Sequence, residues 1–399
     1  MSETRKRIPE LDGLRVLMIF IVSWYHIWQQ SWLRPYVGSY SLDYLVRSGY
    51  IWVDGTVLLS SFLLFLPYAK AMREHLPAPD TKDFYFRRAR RILPGYYFII
   101  LATLFAVAIP WKLYDSAPYL VKDVATHLTF TFPFFRDTYL YTPLGAACWT
   151  LAIEVQAYIL FPLIAKGVMK KPVLTLSIMT AVCFAFRAWC IWALPDYSMV
   201  VNQLINFLDV YVTGILAAML YTRLNSCETP RNSAKKYALQ ALATVIFIGV
   251  MCGLIRMLRF QAASGEYVKI QMRQMIYRPV YALCFTGLIL SAPFALLPLR
   301  KLLGNPVTKF LGGISMNYYL IHQTVIVHMK RLHIPYSVSA TPNTESEQPW
   351  QTNYTLLAFG ISLVLAVLVT YLIEKPASRL LTAMREKRRM KLTSSLPSA

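Results

Sequence analysis

The feature that most constrains this chain is a series of apolar blocks, each long enough to cross a membrane, recurring from one end to the other. Ten are counted, at roughly 14–33, 49–69, 93–111, 146–166, 172–194, 201–222, 237–257, 279–297, 313–329 and 353–374. Each is close to the span of about 20 residues that a hydrocarbon core requires. Lipid offers no partner to a backbone N–H or C=O, so such blocks must be helical. Charged residues are only 15% of the 399, against about 25% in soluble domains. The predicted fold is therefore all-α, a polytopic integral membrane protein of about ten transmembrane helices. The gaps and both ends are too short for an ordinary soluble domain. One membrane-embedded unit is expected over 1–376, followed by a basic cytoplasmic tail over 377–399. The first block reads as a span, not a removable signal: it is long, carries Arg15 and His26, and lacks a small-residue cleavage site.

The formal net charge is +21, which in a soluble protein would suggest nucleic acid. Here Lys and Arg crowd the N-terminus and the segments 70–92, 166–171, 223–236, 300–309 and 375–391. The positive-inside rule then places the N-terminus in the cytoplasm, and an even number of spans returns the C-terminus there. The expected partner is the lipid bilayer of the cell membrane, crossed many times, and not nucleic acid. Segment 258–278 breaks the pattern with Arg259, Lys269, Arg273 and Arg278 on the outer side. It is either a solvated loop touching headgroups or a binding surface for an anionic acceptor. The outer segment 112–145 holds Phe130, Phe132, Phe134, Phe135, Tyr139 and Tyr141, which suit either an interfacial belt or a sugar-binding rim. The residues after Pro376 read as disordered or bound to the inner leaflet. The six cysteines, Cys227 among them, form no CxxC pair and read as packing residues; no metal site is expected.

Ionisable groups inside a bilayer are costly and each needs an account. Arg15 and His26 are separated by about three helical turns, so they share one face roughly 16 Å apart along the axis. That stripe shows an anion-binding group at the inner border and a proton-handling imidazole deeper in, although His26 alone equally suits a buried ring bonded to a neighbouring helix. In the run Phe86–Pro94, Arg88 and Arg91 face one way on a helix. Paired guanidiniums suit phosphates, and they equally suit positive-inside anchoring. Glu154 lies about 12 Å from the outer end of the fourth block, a depth that coincides with that of His26. It would orient the ring and favour its protonated form, or else pair with an arginine. Ser315, Tyr319 and His322 form one polar stripe. Asp54 and Trp149 join these three as supporting polar residues. Arg187 and Asp209, at like depth on consecutive blocks, are expected to form a structural pair.

Together these elements outline a basic inner mouth for a phosphorylated donor, a polar stripe leading away from it, and an acid–base group at the far end. Coenzyme A fits that outline. Its phosphates would sit at the arginines and its acyl thioester beside His26, where an acceptor hydroxyl would lose its proton with Glu154 holding the ring.

At this point the chain resembles membrane acyltransferase family 3, the multi-spanning O-acyltransferases, over nearly its whole length. The resemblance rests on Ile8–Arg15 followed by His26, on the Arg-x-x-Arg pattern at Arg88 and Arg91, on Trp149-Thr150-Leu151 through Glu154 with Tyr158 and Pro162, on the Ser315–Tyr319–His322 stretch, and on Glu374-Lys375-Pro376. It implies transfer of an acyl group, usually acetyl, from cytoplasmic acyl-CoA to a hydroxyl of an extracytoplasmic carbohydrate or glycoconjugate. It also implies that His26 is catalytic and that Arg15, Arg88 and Arg91 contact the nucleotide end of the donor. Glu154 matches a position that the family treats as functional. Acetyl-CoA would be a co-substrate, with no tightly bound cofactor. Two departures touch the core: Trp52–Phe62 lacks the family's paired aromatics and has Ser61 where a glycine is usual, and Thr150 replaces a serine. The rival readings are a transporter or flippase of a polar envelope precursor, a ligand-binding sensor on this scaffold, and an acyltransferase whose acceptor is a cytoplasmic small molecule.

Overall fold

The computed structural model describes residues 7–226 and 233–394. In chain order its main helices are α1 (Glu10–Ser31), α2 (Trp52–Arg73), α3 (Thr81–Thr103), α4 (Ala117–Leu128), α5 (Trp149–Lys170), α6 (Pro172–Ala193), α7 (Leu208–Asn225), α8 (Ser233–Ala262), α9 (Tyr267–Ser291), α10 (Pro306–Arg331), α11 (Trp350–Val369) and α12 (Lys375–Ser394). The β structure among the described residues is one two-stranded ribbon, Tyr36–Val37 with Tyr40–Ser41. The protein is an all-α, multi-pass membrane protein.

Nine helices among the described residues are long and apolar enough to cross a membrane, against the ten blocks predicted. The exception is α10. Its 26 residues would extend about 39 Å, ample for a crossing, but it carries Asn317, Tyr319, His322 and Gln323 along its length. It packs between α1 and α11, so these polar groups face protein instead of lipid. The start of α10 is well defined. Asn305 accepts from the Thr308 backbone N–H at 3.0 Å, Thr308 returns a bond to the Asn305 N–H, and Pro306 takes the first helical position.

In lipid, apolar surface gains little by leaving its surroundings, so helix association depends on close fit and internal polar bonds. Both are clear where α2 meets α7. A Cβ on Gly214 would stand 2.8 Å from the Leu58 carbonyl oxygen, a distance that only glycine tolerates. Beside it Ser61, the departure from the family pattern, donates its hydroxyl to the Tyr211 carbonyl at 2.8 Å.

The polar residues opposite the arginine-rich end form a buried staple. Arg187 forks onto Asp209 at 2.6 and 2.8 Å, the structural pair expected from the sequence. Asp54 pairs with Arg278 at 3.3 Å, both side chains fully buried. The Asn206 carbonyl accepts from both arginines, at 2.6 Å from Arg187 and 3.1 Å from Arg278. Asp54, expected as a supporting polar residue, braces α2 against α9, and Arg278, expected in the outer basic segment, is buried in this pair and is not on a surface. The rest of that basic segment is also engaged: Lys269 with Glu266 at 3.0 Å, Arg273 with Ser264 at 2.6 Å, and Arg259 over the Tyr44 ring at 4.7 Å. Of the outer aromatics, Phe130, Phe132 and Tyr139 are buried, while Phe134, Phe135 and Tyr141 are exposed.

Through Ser394 the basic tail is helical, not disordered, and forms α12, which follows α11 by way of a π turn over Thr370–Glu374. It packs on α3: Arg385 pairs with Asp83, and Arg90 donates to Thr382 at 2.7 Å. Residues 395–399 and Cys227 lie outside the described residues. The starts of α1, α3, α10 and α12 share one end of the bundle, where Glu10 meets Arg300, Arg90 meets Thr382 and Asn317 meets Glu374.

Candidate active site

A cavity of about 640 Å³ opens at that shared end and is walled by α1, α2, α3, α5 and α10. Its volume lies within the roughly 300–1,000 Å³ of small-molecule sites. Arg15, Arg88 and Arg91 all line it, so the three arginines singled out in the sequence do converge. Among the described residues, no hydrogen bond or ion pair engages any of these three guanidiniums, and the Arg88 Nε is buried without a partner. Three guanidiniums without hydrogen-bonded partners thus share one concave wall with the carboxylates of Asp12, Glu154 and Glu374, an arrangement that can take an anion. Asp12, also on the wall, is occupied by Arg7 at 2.7 Å.

Arg88 is held by rings. Its guanidinium lies 5.7 Å over Phe84 and 5.4 Å over Tyr158. The Tyr158 hydroxyl donates to Glu154 Oε2 at 2.9 Å. Glu154 therefore belongs to the arginine wall, not to the imidazole. The sequence places Glu154 level with the His26 ring, but the histidines lie past Thr150, while Glu154 stands about one turn nearer the arginines on the cavity wall. Glu374 lines the same mouth and accepts from Asn317 at 2.6 Å. Glu374, named in the sequence only as part of the closing Glu374-Lys375-Pro376 motif, thus joins the cavity mouth. Arg7 and Ser60 also line the cavity, and the sequence assigns no functional role to either or to Asn317.

The partner of His26 is His322. Nδ1 of His26 lies 2.7 Å from Nε2 of His322. The ring planes differ by 1° and their centroids stand 5.0 Å apart, so the rings meet edge to edge. Nδ1 of His322 lies 2.6 Å from the Tyr319 carbonyl oxygen. Two contacts nearer the arginine end hold α1 and α10 in register: Ser23 Oγ to Tyr318 OH at 2.7 Å, and the Phe20 ring stacked on Tyr318 at 4.7 Å.

The two histidines stand just past the far end of the cavity, not on its wall. The wall ends at Ile19, Thr150 and Tyr319. Tyr319, on the cavity wall, has its ring 5.3 Å from that of His322. Of the supporting residues, Ser315 lines the cavity and donates to the Gly312 carbonyl at 3.0 Å. Trp149 does not line it; its ring packs 6.3 Å from Phe207.

These features define a multi-pass helical protein with a cationic cavity at one face and a histidine pair beyond its closed end. Comparison with known proteins gives that class a family. The Acyltransferase domain model matches residues 8–375, so the chain belongs to that acyltransferase family. Among similar curated proteins is the peptidoglycan O-acetyltransferase OatA of Listeria monocytogenes (serovar 1/2a), 25% identical over 94% of this chain and 56% of its own length. A Staphylococcus aureus (strain COL) protein with a provisional O-acetyltransferase name is 24% identical over 80% of this chain and 50% of its own. YrhL of Bacillus subtilis (strain 168), provisionally named a peptidoglycan O-acetyltransferase, is 27% identical over 41% of this chain and 24% of its own. The chain thus spans about half the length of the first two relatives. No solved structure matches it.

Proposed function

We propose that this chain is an O-acetyltransferase of the cell membrane that takes an acetyl group from acetyl-CoA and gives it to a hydroxyl of a cell-envelope carbohydrate. The observation that carries the reading is the convergence of Arg15, Arg88 and Arg91, all unpaired, on a cavity whose far end abuts the His26–His322 pair. The names of the relatives support a carbohydrate acceptor.

In this reading the arginines bind the phosphates of the nucleotide end from the cytoplasmic face. The Glu154–Tyr158 pair braces Arg88. The thin arm of the donor runs along the Ser315–Tyr319 stripe and passes Tyr319, which moves aside. The imidazole nitrogen of His26 that is not bonded to His322 takes the proton of the acceptor hydroxyl as its oxygen attacks the thioester carbonyl. A C–O bond forms. The tetrahedral intermediate then collapses, the C–S bond breaks, and the proton passes to the departing thiolate. The acceptor approaches from the opposite face.

The test is purified protein in vesicles with labelled acetyl-CoA and envelope glycan fragments, comparing wild type with His26→Ala. The variant should insert normally and lose about 10²- to 10⁴-fold in turnover, the usual scale for removing a general base. Wild-type turnover by the folded variant would end this reading. Transport of glycan without consumption of acetyl-CoA would favour a transporter.

A further inference from the structure

We infer that His322 is a positioning residue that sets the tautomer of His26, leaving Nε2 of His26 as the one basic atom of the pair. This rests on the catalytic reading of His26, but its geometry can be checked without any turnover.

The chain of bonds leads in one direction. The Tyr319 carbonyl can only accept a hydrogen bond. Nδ1 of His322 lies 2.6 Å from it, so that nitrogen carries a proton. A neutral imidazole protonated at Nδ1 has its lone pair on Nε2. That lone pair faces Nδ1 of His26 at 2.7 Å. Two lone pairs cannot share such a contact, so Nδ1 of His26 carries a proton and donates it. The remaining lone pair of His26 is on Nε2.

The opposite assignment requires His322 to be an imidazolium donating at both nitrogens. Its side chain is fully buried, and the hydrogen-bond partners of its ring are a carbonyl and a second imidazole, not a carboxylate. An uncompensated buried charge there is too costly. The edge-to-edge meeting of parallel rings is also what a linear N–H···N bond requires, whereas rings attracted through their faces would overlap.

The arrangement does with a neutral ring what a carboxylate does in other histidine sites: it fixes tautomer and orientation through the nitrogen that does not react. When His26 Nε2 accepts a proton, its Nδ1–H donates more strongly to His322, and the charge lasts only until that proton passes to the leaving thiolate.

The experiment uses the full chain in nanodiscs with ¹⁵N-labelled histidine. The six histidines are assigned by single replacements. Nitrogen shifts and couplings report which nitrogen of each ring holds the proton. In the wild type His26 should be protonated at Nδ1 and bare at Nε2, with His322 protonated at Nδ1. His322→Phe should mix the His26 tautomers and cut turnover about 10- to 100-fold, the usual scale for losing an orienting partner, with the KM for acetyl-CoA nearly unchanged. His322→Gln, whose amide oxygen can accept in place of Nε2, should restore the tautomer and most of the turnover. A wild-type His26 protonated at Nε2 overturns the inference, even if acetyl transfer is robust. So does an unchanged His26 tautomer in His322→Phe; if that variant fails to fold, the wild-type and His322→Gln spectra decide. The stated tautomers with no consumption of acetyl-CoA would uphold this relay and reject the proposed function.

Discussion

The Tyr158 hydroxyl donates to Glu154 at 2.9 Å, and the face of the same ring lies 5.4 Å beneath the Arg88 guanidinium. One side chain thus ties the carboxylate of α5 to the cation of α3, and the two halves of the tie can be cut separately. Tyr158→Phe keeps the ring and removes the hydrogen bond. A bond to a charged group contributes about 1.5–3 kcal/mol, so the KM for acetyl-CoA should rise about tenfold with kcat little changed. Tyr158→Leu removes the ring as well and should raise it further. Steady-state kinetics of both variants check the order; a larger effect on kcat than on KM would remove Tyr158 from the donor wall.

The arginine wall should respond to the nucleotide end of the donor and to nothing else. Arg88→Ala and Arg91→Ala are each expected to raise the KM for acetyl-CoA about tenfold or more, as loss of a charge-assisted bond implies, and to leave the acceptor KM alone. With acetyl-pantetheine, which lacks the nucleotide, the variants and the wild type should behave alike. Comparing the two donors is the measurement. An acceptor defect in its place would move the donor site elsewhere.

Tyr319 should limit passage, not binding. It lines the cavity, and its ring is 5.3 Å from that of His322. Tyr319→Trp adds bulk where the donor arm must pass, and turnover should fall more than tenfold, a displacement effect of the kind expected when reacting groups are held apart. Donor affinity, measured by calorimetry, should hold. Tyr319→Phe should be near wild type. Weakened donor binding in Tyr319→Trp, with turnover unaffected at saturation, would contradict this role.

Asp54 and Arg278 should matter to stability and not to donor binding. Both are fully buried and pair at 3.3 Å. Removing one partner of such a pair costs about 3–5 kcal/mol, because the other charge is left stranded, while replacing both by apolar residues is often tolerated. Asp54→Leu should therefore unfold at lower temperature, and the Asp54→Leu/Arg278→Met double variant should recover much of the loss. Thermal unfolding in detergent reads this directly. Equal losses in the single and double variants would mean that the pair is not the coupled unit.

Much of this protein followed from sequence because a bilayer enforces simple rules. Backbone groups in lipid must bond within a helix, so apolar length alone identifies nine of the spans. Periodicity along one helix is equally local. It placed Arg15 on the stripe that leads to His26, Arg88 beside Arg91, and Ser315 in line with Tyr319 and His322. What periodicity cannot encode is which faces of different helices meet. Glu154, counted to the depth of His26, stands nearer the arginines, and the side of α1 that bears the imidazole is covered by α10, which brings His322 to 2.7 Å. Asp54 looked like part of the site until α9 brought Arg278 against it. The position of Tyr319 between cavity and histidines, and the pairing of His26 with His322, likewise depend on rotation about helix axes. Packing between helices sets that rotation, and it leaves no trace in the spacing of residues along a single one.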